Sequence, residues 1–113
     1  MITNYINSLK QFWPGYVQAH SKAGTRWLHF IGNTNLFIWL GLSIINRSLF
    51  LVGFAVISSY MFAWIGHFFV ERNIPITFRY PLKAAICDMV MYYKMWRGEM
   101  DAEIKKYLNT TQT

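Results

Sequence analysis

The stretch AWIGHFFVERNIP, residues Ala63 to Pro75, closes a long uncharged run and places His67 and Glu71 at its end. On an α-helix, residues four positions apart lie about 40° apart around the axis, so this imidazole and carboxylate would project side by side. Two such side chains make half of a metal site. The other two histidines, His20 and His29, lie before the first apolar run or early in it. The stretch therefore predicts a metal site if the two runs fold back on each other.

The composition is typical of a membrane protein. The chain has 113 residues, 54% of them apolar and 14% charged, well below the roughly 25% charged residues of soluble proteins. The net charge is +6, but ten of the 11 Lys and Arg residues flank the apolar centre and only Arg47 interrupts it. Basic residues in this position typically face lipid headgroups, so membrane lipid is the expected partner. They form no nucleic-acid-binding motif, which argues against nucleic acid as a partner.

Two uncharged runs are long enough to cross a bilayer. Trp27 to Asn46 gives 20 residues and Ser48 to Val70 gives 23, and about 20 residues at 1.5 Å each span the hydrocarbon layer. The short link between the runs enforces an antiparallel hairpin. We expect membrane spans at residues 25–46 and 48–71, within a single membrane domain over residues 1–113.

Amphipathic segments flank the predicted hairpin. Residues 1–22 have helical periodicity, and this helix lies in the headgroup layer or packs on the rest of the domain; Pro14 is expected to kink or divide it. Residues 81–98 form a second interfacial helix, which is too short to span and carries Asp88 in its middle. Residues 99–113 form a polar tail, in which we expect only one or two helical turns. The predicted fold class is all-α: an integral membrane helical hairpin of two spans, flanked by amphipathic interfacial helices.

The hairpin brings the histidines together. His29 lies three residues into the first run and His67 three before the second ends, so antiparallel packing places them at the same depth. His20 and His29 are nine residues apart, which in one unbroken helix would separate them by roughly 13 Å along the axis. They can share an ion only if the helix breaks between them, and Gly24 can end one helix there. With that break, the three histidines and Glu71 meet at one membrane edge.

The distribution of basic residues predicts the orientation. The side that holds both termini has six Lys and Arg residues near the span ends, whereas the hairpin tip has Arg47 alone. By the positive-inside rule, the termini and the site face the cytoplasm, in a bacterial cytoplasmic membrane or the endoplasmic reticulum. The sequence leaves open whether the chain forms a homo-oligomer.

Several residues near the histidines have more than one interpretation. Glu71 could be a metal ligand or could pair with a nearby arginine. Tyr16, four residues before His20, could hydrogen-bond a substrate. Arg26, three residues before His29, could bind a lipid phosphate or a substrate carboxylate. Imidazoles with one carboxylate and no thiolate suit non-haem iron, manganese or zinc, and spacing does not choose among them.

Two other classes of protein remain open on these patterns. The first is a non-catalytic small membrane protein with interfacial histidines. The second is a b-type haem protein, because His29 and His67 on facing helices could be axial ligands. Cys87 is the only cysteine, which excludes an intrachain disulfide and a cysteine-rich zinc site.

The motif Tyr16-x3-His20-x8-His29-x2-Gly32, followed by Gly66-His67-x3-Glu71-x3-Pro75, resembles the Mpo1-like family, formerly a domain of unknown function. The resemblance covers roughly Tyr16 to Gly98, and the yeast founder of the family is an endoplasmic-reticulum enzyme. It implies an Fe(II)-dependent dioxygenase of fatty-acid α-oxidation, which uses dioxygen to convert a 2-hydroxy long-chain fatty acid to the acid one carbon shorter. It also implies that the histidines are iron ligands and that Glu71 is a ligand or a nearby base.

The chain is similar to the shorter members of that family. Longer members carry asparagine near the position of Arg26 and an additional histidine beside the first one, where this chain has Ser21 and Lys22. They also have more membrane-spanning sequence. With the metal set as implied, the candidate catalytic residues are Glu71, Tyr16 and Arg26.

Overall fold

Helices make up the fold, and the part of the chain that the computed structural model describes, residues 1–112, contains no strand; side chains are described as far as residue 108. The helices are α1 (Ile2–Ala19), α2 (Ala23–Asn46), α3 (Leu49–Ile65), α4 (Pro81–Trp96) and α5 (Met100–Gln112). A π-helical turn, Gly66–Glu71, extends α3, and a short 3-10 turn, Ile76–Phe78, precedes α4. The predicted all-α class with two long apolar helices is confirmed.

The helices group into two compact units. The hairpin unit is Lys22–Arg72 and contains α2, α3 and the π-helical turn. The terminal unit combines Met1–Ser21 with the described residues that follow Arg72, and it contains α1, α4 and α5.

A tight turn joins the two helices of the hairpin unit. Arg47 adopts a left-handed conformation (φ 49°, ψ 45°), and its N–H donates to the Ile44 carbonyl oxygen at 3.3 Å. Ser48 then caps α3, because its side chain accepts a hydrogen bond from the Leu51 N–H at 3.3 Å. The left-handed residue and the serine cap satisfy helix-end groups that would otherwise need water. So short a connection makes α2 and α3 antiparallel, as predicted.

Small and polar residues hold α2 against α3. Asn35 of α2 donates to the hydroxyls of Ser58 and Ser59 at 2.8 and 3.2 Å. One turn away, a Cβ atom on Gly32 would lie 3.0 Å from the Ser59 carbonyl oxygen and 3.1 Å from the Cβ of Phe62. A glycine at this position therefore lets the two backbones approach closely, as small residues do between membrane helices.

The outward surface of the hairpin is apolar. Both helices are long and apolar enough to cross a membrane, and only 22% and 17% of their most apolar stretches are buried. Leu49 is 88% exposed, Phe50 79% and Ile45 76%. The core helix of a soluble protein would bury most of such residues, so this surface is typical of helices that face lipid.

A small core holds the terminal unit together. Its buried members are Tyr16 and Val17 of α1, Cys87 and Met91 of α4, and Met100 of α5. This packing explains why α1 continues through Pro14 rather than dividing there. Proline removes one backbone hydrogen bond, but apolar residues on both sides of it are packed into the core, which offsets the loss.

The break between His20 and His29 exists, but it lies earlier than predicted. Residues 20–22 interrupt the helices, and Gly24 lies inside α2. The N–H of His20 donates to the Val17 carbonyl oxygen at 3.0 Å, and the Asn73 amide donates to the Ala19 carbonyl oxygen at 3.0 Å. These contacts end α1 before Gly24 is reached.

The polar segment from residue 99 onward forms a longer helix than the one or two turns expected. Helix α5 covers Met100–Gln112, and Thr113 lies outside the described residues. Met100 and Ile104 pack on the core, and Glu103 forms an ion pair with Lys94 of α4 at 3.0 Å. Tertiary contacts thus stabilise a segment whose composition alone indicates a tail.

Candidate metal centre

His29 of α2 and His67 of the π-helical turn face each other inside the hairpin unit. Their Nε2 atoms lie 3.1 Å apart, and the rings meet edge to face at 74° with centroids 5.0 Å apart. Both side chains are buried, at 4% and 3% exposure. Antiparallel packing therefore places the two imidazoles at the same depth, as the sequence predicted.

A distance of 3.1 Å between these nitrogens suits two arrangements. Two neutral imidazoles can share a hydrogen bond, with one Nε2 donating and the other accepting. Alternatively, both can direct lone pairs at one ion. With metal–nitrogen bonds of about 2.1 Å, neighbouring ligand nitrogens lie about 3.0–3.4 Å apart. The same ring positions thus serve a hydrogen bond without metal and coordination with it.

The same distance argues against a haem held between these two rings. Axial ligands lie on opposite faces of a porphyrin, so their nitrogens are about 4 Å apart, twice a metal–nitrogen bond of about 2.0 Å. The observed 3.1 Å between the Nε2 atoms is too short for that arrangement. Both histidines are buried in the hairpin unit rather than exposed on its surface.

A π-helical turn sets the position of His67. Such turns use i→i+5 hydrogen bonds and occur frequently at functional sites. The first residue of the turn, Gly66, packs directly on α2, because a Cβ atom there would lie 3.1 Å from Cγ2 of Thr25. The Thr25 hydroxyl donates to the Gly66 carbonyl oxygen at 3.4 Å. The close approach at Gly66 therefore brings His67 next to the first turns of α2.

Glu71 lies at the other end of this turn and contacts the start of α2. Its carboxylate accepts a hydrogen bond from the backbone N–H of Lys22 at 2.5 Å. The Lys22 ammonium in turn donates to the Val70 carbonyl oxygen at 3.0 Å. A carboxylate thus meets a helix amino end and an ammonium meets a helix carboxyl end, both favourable for the helix dipoles. We call these two hydrogen bonds the Lys22–Glu71 clasp.

His20 lies at the carboxyl end of α1, in the terminal unit, and is 1% exposed. Its Nδ1 is 2.7 Å from the Tyr16 carbonyl oxygen, so the proton belongs on Nδ1, which donates to that oxygen. The resulting tautomer carries its lone pair on Nε2. Metal-ligating histidines typically have this arrangement, with the other ring nitrogen donating to a backbone carbonyl or a carboxylate.

Tyr16 supports His20 in two ways that its spacing in the sequence did not indicate. Its carbonyl accepts the imidazole N–H, and its ring stacks on the imidazole with centroids 4.1 Å apart. The Tyr16 hydroxyl donates to the Asp88 carboxylate of α4. Burial, reinforced by the Asp88 charge, raises the pKa of Tyr16 well above its ordinary value, so the hydroxyl keeps its proton. A role of Tyr16 in binding substrate stays a prediction.

The carboxylate partner of Tyr16 has an unusual protonation equilibrium. Burial raises the pKa of Asp88 to about 7, and the hydrogen bond from Tyr16 opposes this effect only in part. Near neutral pH the protonated and the charged form of this carboxyl group are therefore both present. The structure gives the Asp88 carboxylate a phenol, that of Tyr16, as a hydrogen-bond donor.

Arg26 lies one turn before His29 on α2 and is 8% exposed. A buried guanidinium needs anionic or hydrogen-bonding partners, which makes this position unusual for arginine. Its predicted role as a clamp for a substrate carboxylate or a lipid phosphate stays a prediction.

Three buried histidines, His20, His29 and His67, could hold a metal ion. Glu71 is not among these residues, and its predicted role as a ligand stays a prediction. The donor set is three imidazoles without a thiolate, which suits divalent iron, manganese or zinc. The residues present therefore fit a mononuclear metal of this class.

Comparison with known proteins places this site in a family. A family model described as 2-hydroxy-palmitic acid dioxygenase Mpo1-like matches residues 6–100. The chain belongs to the Mpo1-like family. In this Mpo1-like protein the matched region contains all three histidines, Glu71 and both hairpin helices, and it includes the motif residues from Tyr16 to Pro75. No curated protein and no solved structure matched the chain.

Proposed function

We propose that this Mpo1-like protein is an Fe(II)-dependent dioxygenase that converts a 2-hydroxy long-chain fatty acid to the acid one carbon shorter. The observation that carries the proposal is the buried histidine pair, with His29 Nε2 and His67 Nε2 3.1 Å apart. The family description supports the reaction class and a 2-hydroxy fatty acid as substrate. His20, whose tautomer carries the lone pair on Nε2, completes the proposed ligand set.

Fe(II) held by His20, His29 and His67 would supply the activation of dioxygen for oxidation of the 2-hydroxy acid. The chain supplies the rest. The Tyr16 carbonyl keeps the proton of His20 on Nδ1. The Lys22–Glu71 clasp fixes the ends of the two helices that carry His29 and His67. Glu71 is proposed to act as a ligand or as a base beside the metal, and Arg26 is proposed to bind the substrate carboxylate.

The proposal includes a membrane position. We propose that α2 and the helix from Leu49 to Glu71 cross the bilayer, supported by their length and their exposed apolar side chains. A fatty-acid substrate dissolves in the same bilayer, so the enzyme would meet it there. The basic residues near the termini support a cytoplasmic location of both termini and of the site. This orientation can be tested by fusing to the C-terminus a reporter that is active only outside the cytoplasm.

The decisive experiment is anaerobic reconstitution of detergent-purified protein with Fe(II), followed by 2-hydroxypalmitate and dioxygen. We expect one iron per chain and formation of pentadecanoic acid. His67→Gln removes the ligand nitrogen but keeps a polar side chain, and it should lose both iron and turnover. Asn46→Ala is the control, because it changes a polar residue at the hairpin turn, and it should keep both.

Circular dichroism of each variant separates loss of the metal from loss of the fold. The proposal is wrong if the reconstituted protein holds no stoichiometric iron, or if folded His67→Gln turns over as the unsubstituted protein does. Retention of iron with loss of turnover in Glu71→Ala would make Glu71 a base rather than a required ligand.

A further inference from the structure

A partly open groove of about 700 Å³ lies in the terminal unit, between α1 and residues 74–80. Its volume falls within the roughly 300–1,000 Å³ of small-molecule sites. The lining is mainly apolar and includes Phe12, Tyr16, Ile74, Ile76, Phe78 and Tyr80. Ile74 and Phe78 are also strongly exposed, at 73% and 58%, so apolar surface continues from the groove to the outside of the protein.

The groove carries positive charge. Arg79 belongs to its lining, and no Asp or Glu does among the described residues that form it. The Lys83 ammonium lies 5.9 Å from the centroid of the Phe12 ring and 5.7 Å from that of Tyr80, two further lining residues. An apolar groove beside two cations is complementary to a molecule with one hydrocarbon chain and an anionic head.

The groove also reaches Tyr16, the residue that supports the proposed metal ligand His20. Tyr16 belongs to the lining of the groove, and its ring stacks on His20 with centroids 4.1 Å apart. A ligand in the groove therefore lies next to the residue whose carbonyl sets the tautomer of His20.

We propose that this groove binds the hydrocarbon chain of a long-chain fatty acid, and that Arg79 and Lys83 attract its carboxylate. This inference rests on the proposed function, because the fatty acid is the substrate class named there. The groove binds the chain without metal, since every residue that forms it belongs to the terminal unit and most of these residues offer apolar side chains.

Gly15 offers a way to fill the groove without disturbing the packing. It lines the groove, and a Cβ atom at this position would meet no other atom within 4 Å. Leucine is a better helix former than glycine, so Gly15→Leu should not weaken α1. Gly41→Leu is the matched control, because Gly41 lies in α2, also has no atom within 4 Å of an added Cβ, and does not line the groove.

The test uses metal-free, full-length protein in detergent and a palmitate that carries a photoactivatable group on its chain. We expect saturable labelling of the peptides that contain residues 11–16 and 74–80, displaced by unlabelled palmitate. Gly15→Leu should weaken binding at least roughly tenfold, whereas Gly41→Leu should stay within about twofold. Unchanged labelling in Gly15→Leu overturns the proposal.

Two other occupants are separate outcomes of the same experiment. Displacement of the probe by dioleoylphosphatidylglycerol as readily as by palmitate would assign the groove to a phospholipid and overturn the proposal. A protein that is dimeric in detergent, and becomes monomeric in Gly15→Leu, would assign it to a second copy of the chain.

The role of the cations is tested with Arg79→Gln and with Arg47→Gln, a matched loss of charge at the hairpin turn. Arg79→Gln should lose the preference for palmitate over hexadecanol, and Arg47→Gln should keep it. An unchanged preference in Arg79→Gln overturns the role of that guanidinium.

Turnover distinguishes this inference from the proposed function. Saturable binding in the groove without dioxygenase turnover would refute the proposed function but support the groove as a fatty-acid site. Turnover with an unaltered KM in Gly15→Leu would refute the groove as a fatty-acid site but support the proposed function.

Discussion

Asp88 should make the folded protein less stable as the pH rises, the opposite of what a salt-bridged carboxylate does. Burial raises its pKa from 3.8 to about 7. Below the lower value, both the folded and the unfolded chain hold the proton and there is no penalty. Between the two values only the folded chain holds it, so the free energy of unfolding falls as the pH rises. Above the folded pKa the penalty is constant.

The size of the effect follows from the two pKa values. A difference of about 3 pKa units corresponds to about 4 kcal/mol, because each unit is worth about 1.4 kcal/mol. Asp88 is only partly buried, and water near the carboxylate reduces this figure. We therefore expect a loss of about 2–4 kcal/mol between pH 4 and pH 7.

The variant Asp88→Asn isolates this effect. It keeps a side-chain oxygen that can accept the Tyr16 hydroxyl proton, but it carries no charge at any pH. Thermal unfolding in detergent, followed by circular dichroism at pH 4, 6 and 8, should show Asp88→Asn gaining stability over the unsubstituted protein as the pH rises. The exposed Asp101 of α5 provides the control Asp101→Asn, whose difference should change little. A stability difference for Asp88→Asn that is the same at pH 4 and pH 8 would refute the reasoning.

Three further predictions concern single contacts. Glu71→Ala should lower the free energy of unfolding by about 1–2 kcal/mol, because the Lys22 N–H loses a charged acceptor at a helix amino end. Thermal unfolding measures this loss, and Glu71→Gln should recover much of it. If Glu71→Ala loses no stability, the Lys22–Glu71 clasp does not stabilise the fold. Gly32→Ala should destabilise the hairpin by more than about 1 kcal/mol, because the added Cβ would lie 3.0 Å from a carbonyl oxygen of α3. The control Gly41→Ala should not destabilise it. Equal midpoints of thermal unfolding in the two variants would contradict this prediction. Burial raises the pKa of the Cys87 thiol to about 11. Iodoacetamide at pH 8 should therefore modify Cys87 slowly in the folded protein and rapidly after unfolding. Fast labelling of the folded protein would show that the thiol is not buried.

The sequence determined the hairpin and the meeting of two of its histidines. Uncharged runs of 20 and 23 residues on either side of Arg47 fix two antiparallel helices, because span length and link length are local properties. Once the register is set by the turn, the depths of His29 and His67 follow by counting residues. The same kind of local reasoning placed α4 between Pro81 and Gly98, since proline starts a helix readily and a glycine with positive φ ends it.

Tertiary structure alone decided what the polar groups around the histidines contact. Glu71 meets the Lys22 N–H 49 residues away, and Tyr16 meets Asp88 72 residues away. Periodicity shows which face of a helix a side chain occupies, but not which distant group lies opposite it. The π-helical turn at Gly66 and the helical course of α5 have the same origin, because each depends on packing against another element. The length of an apolar run can be counted in the sequence, whereas the hydrogen-bond partners of a side chain are determined only when the helices pack.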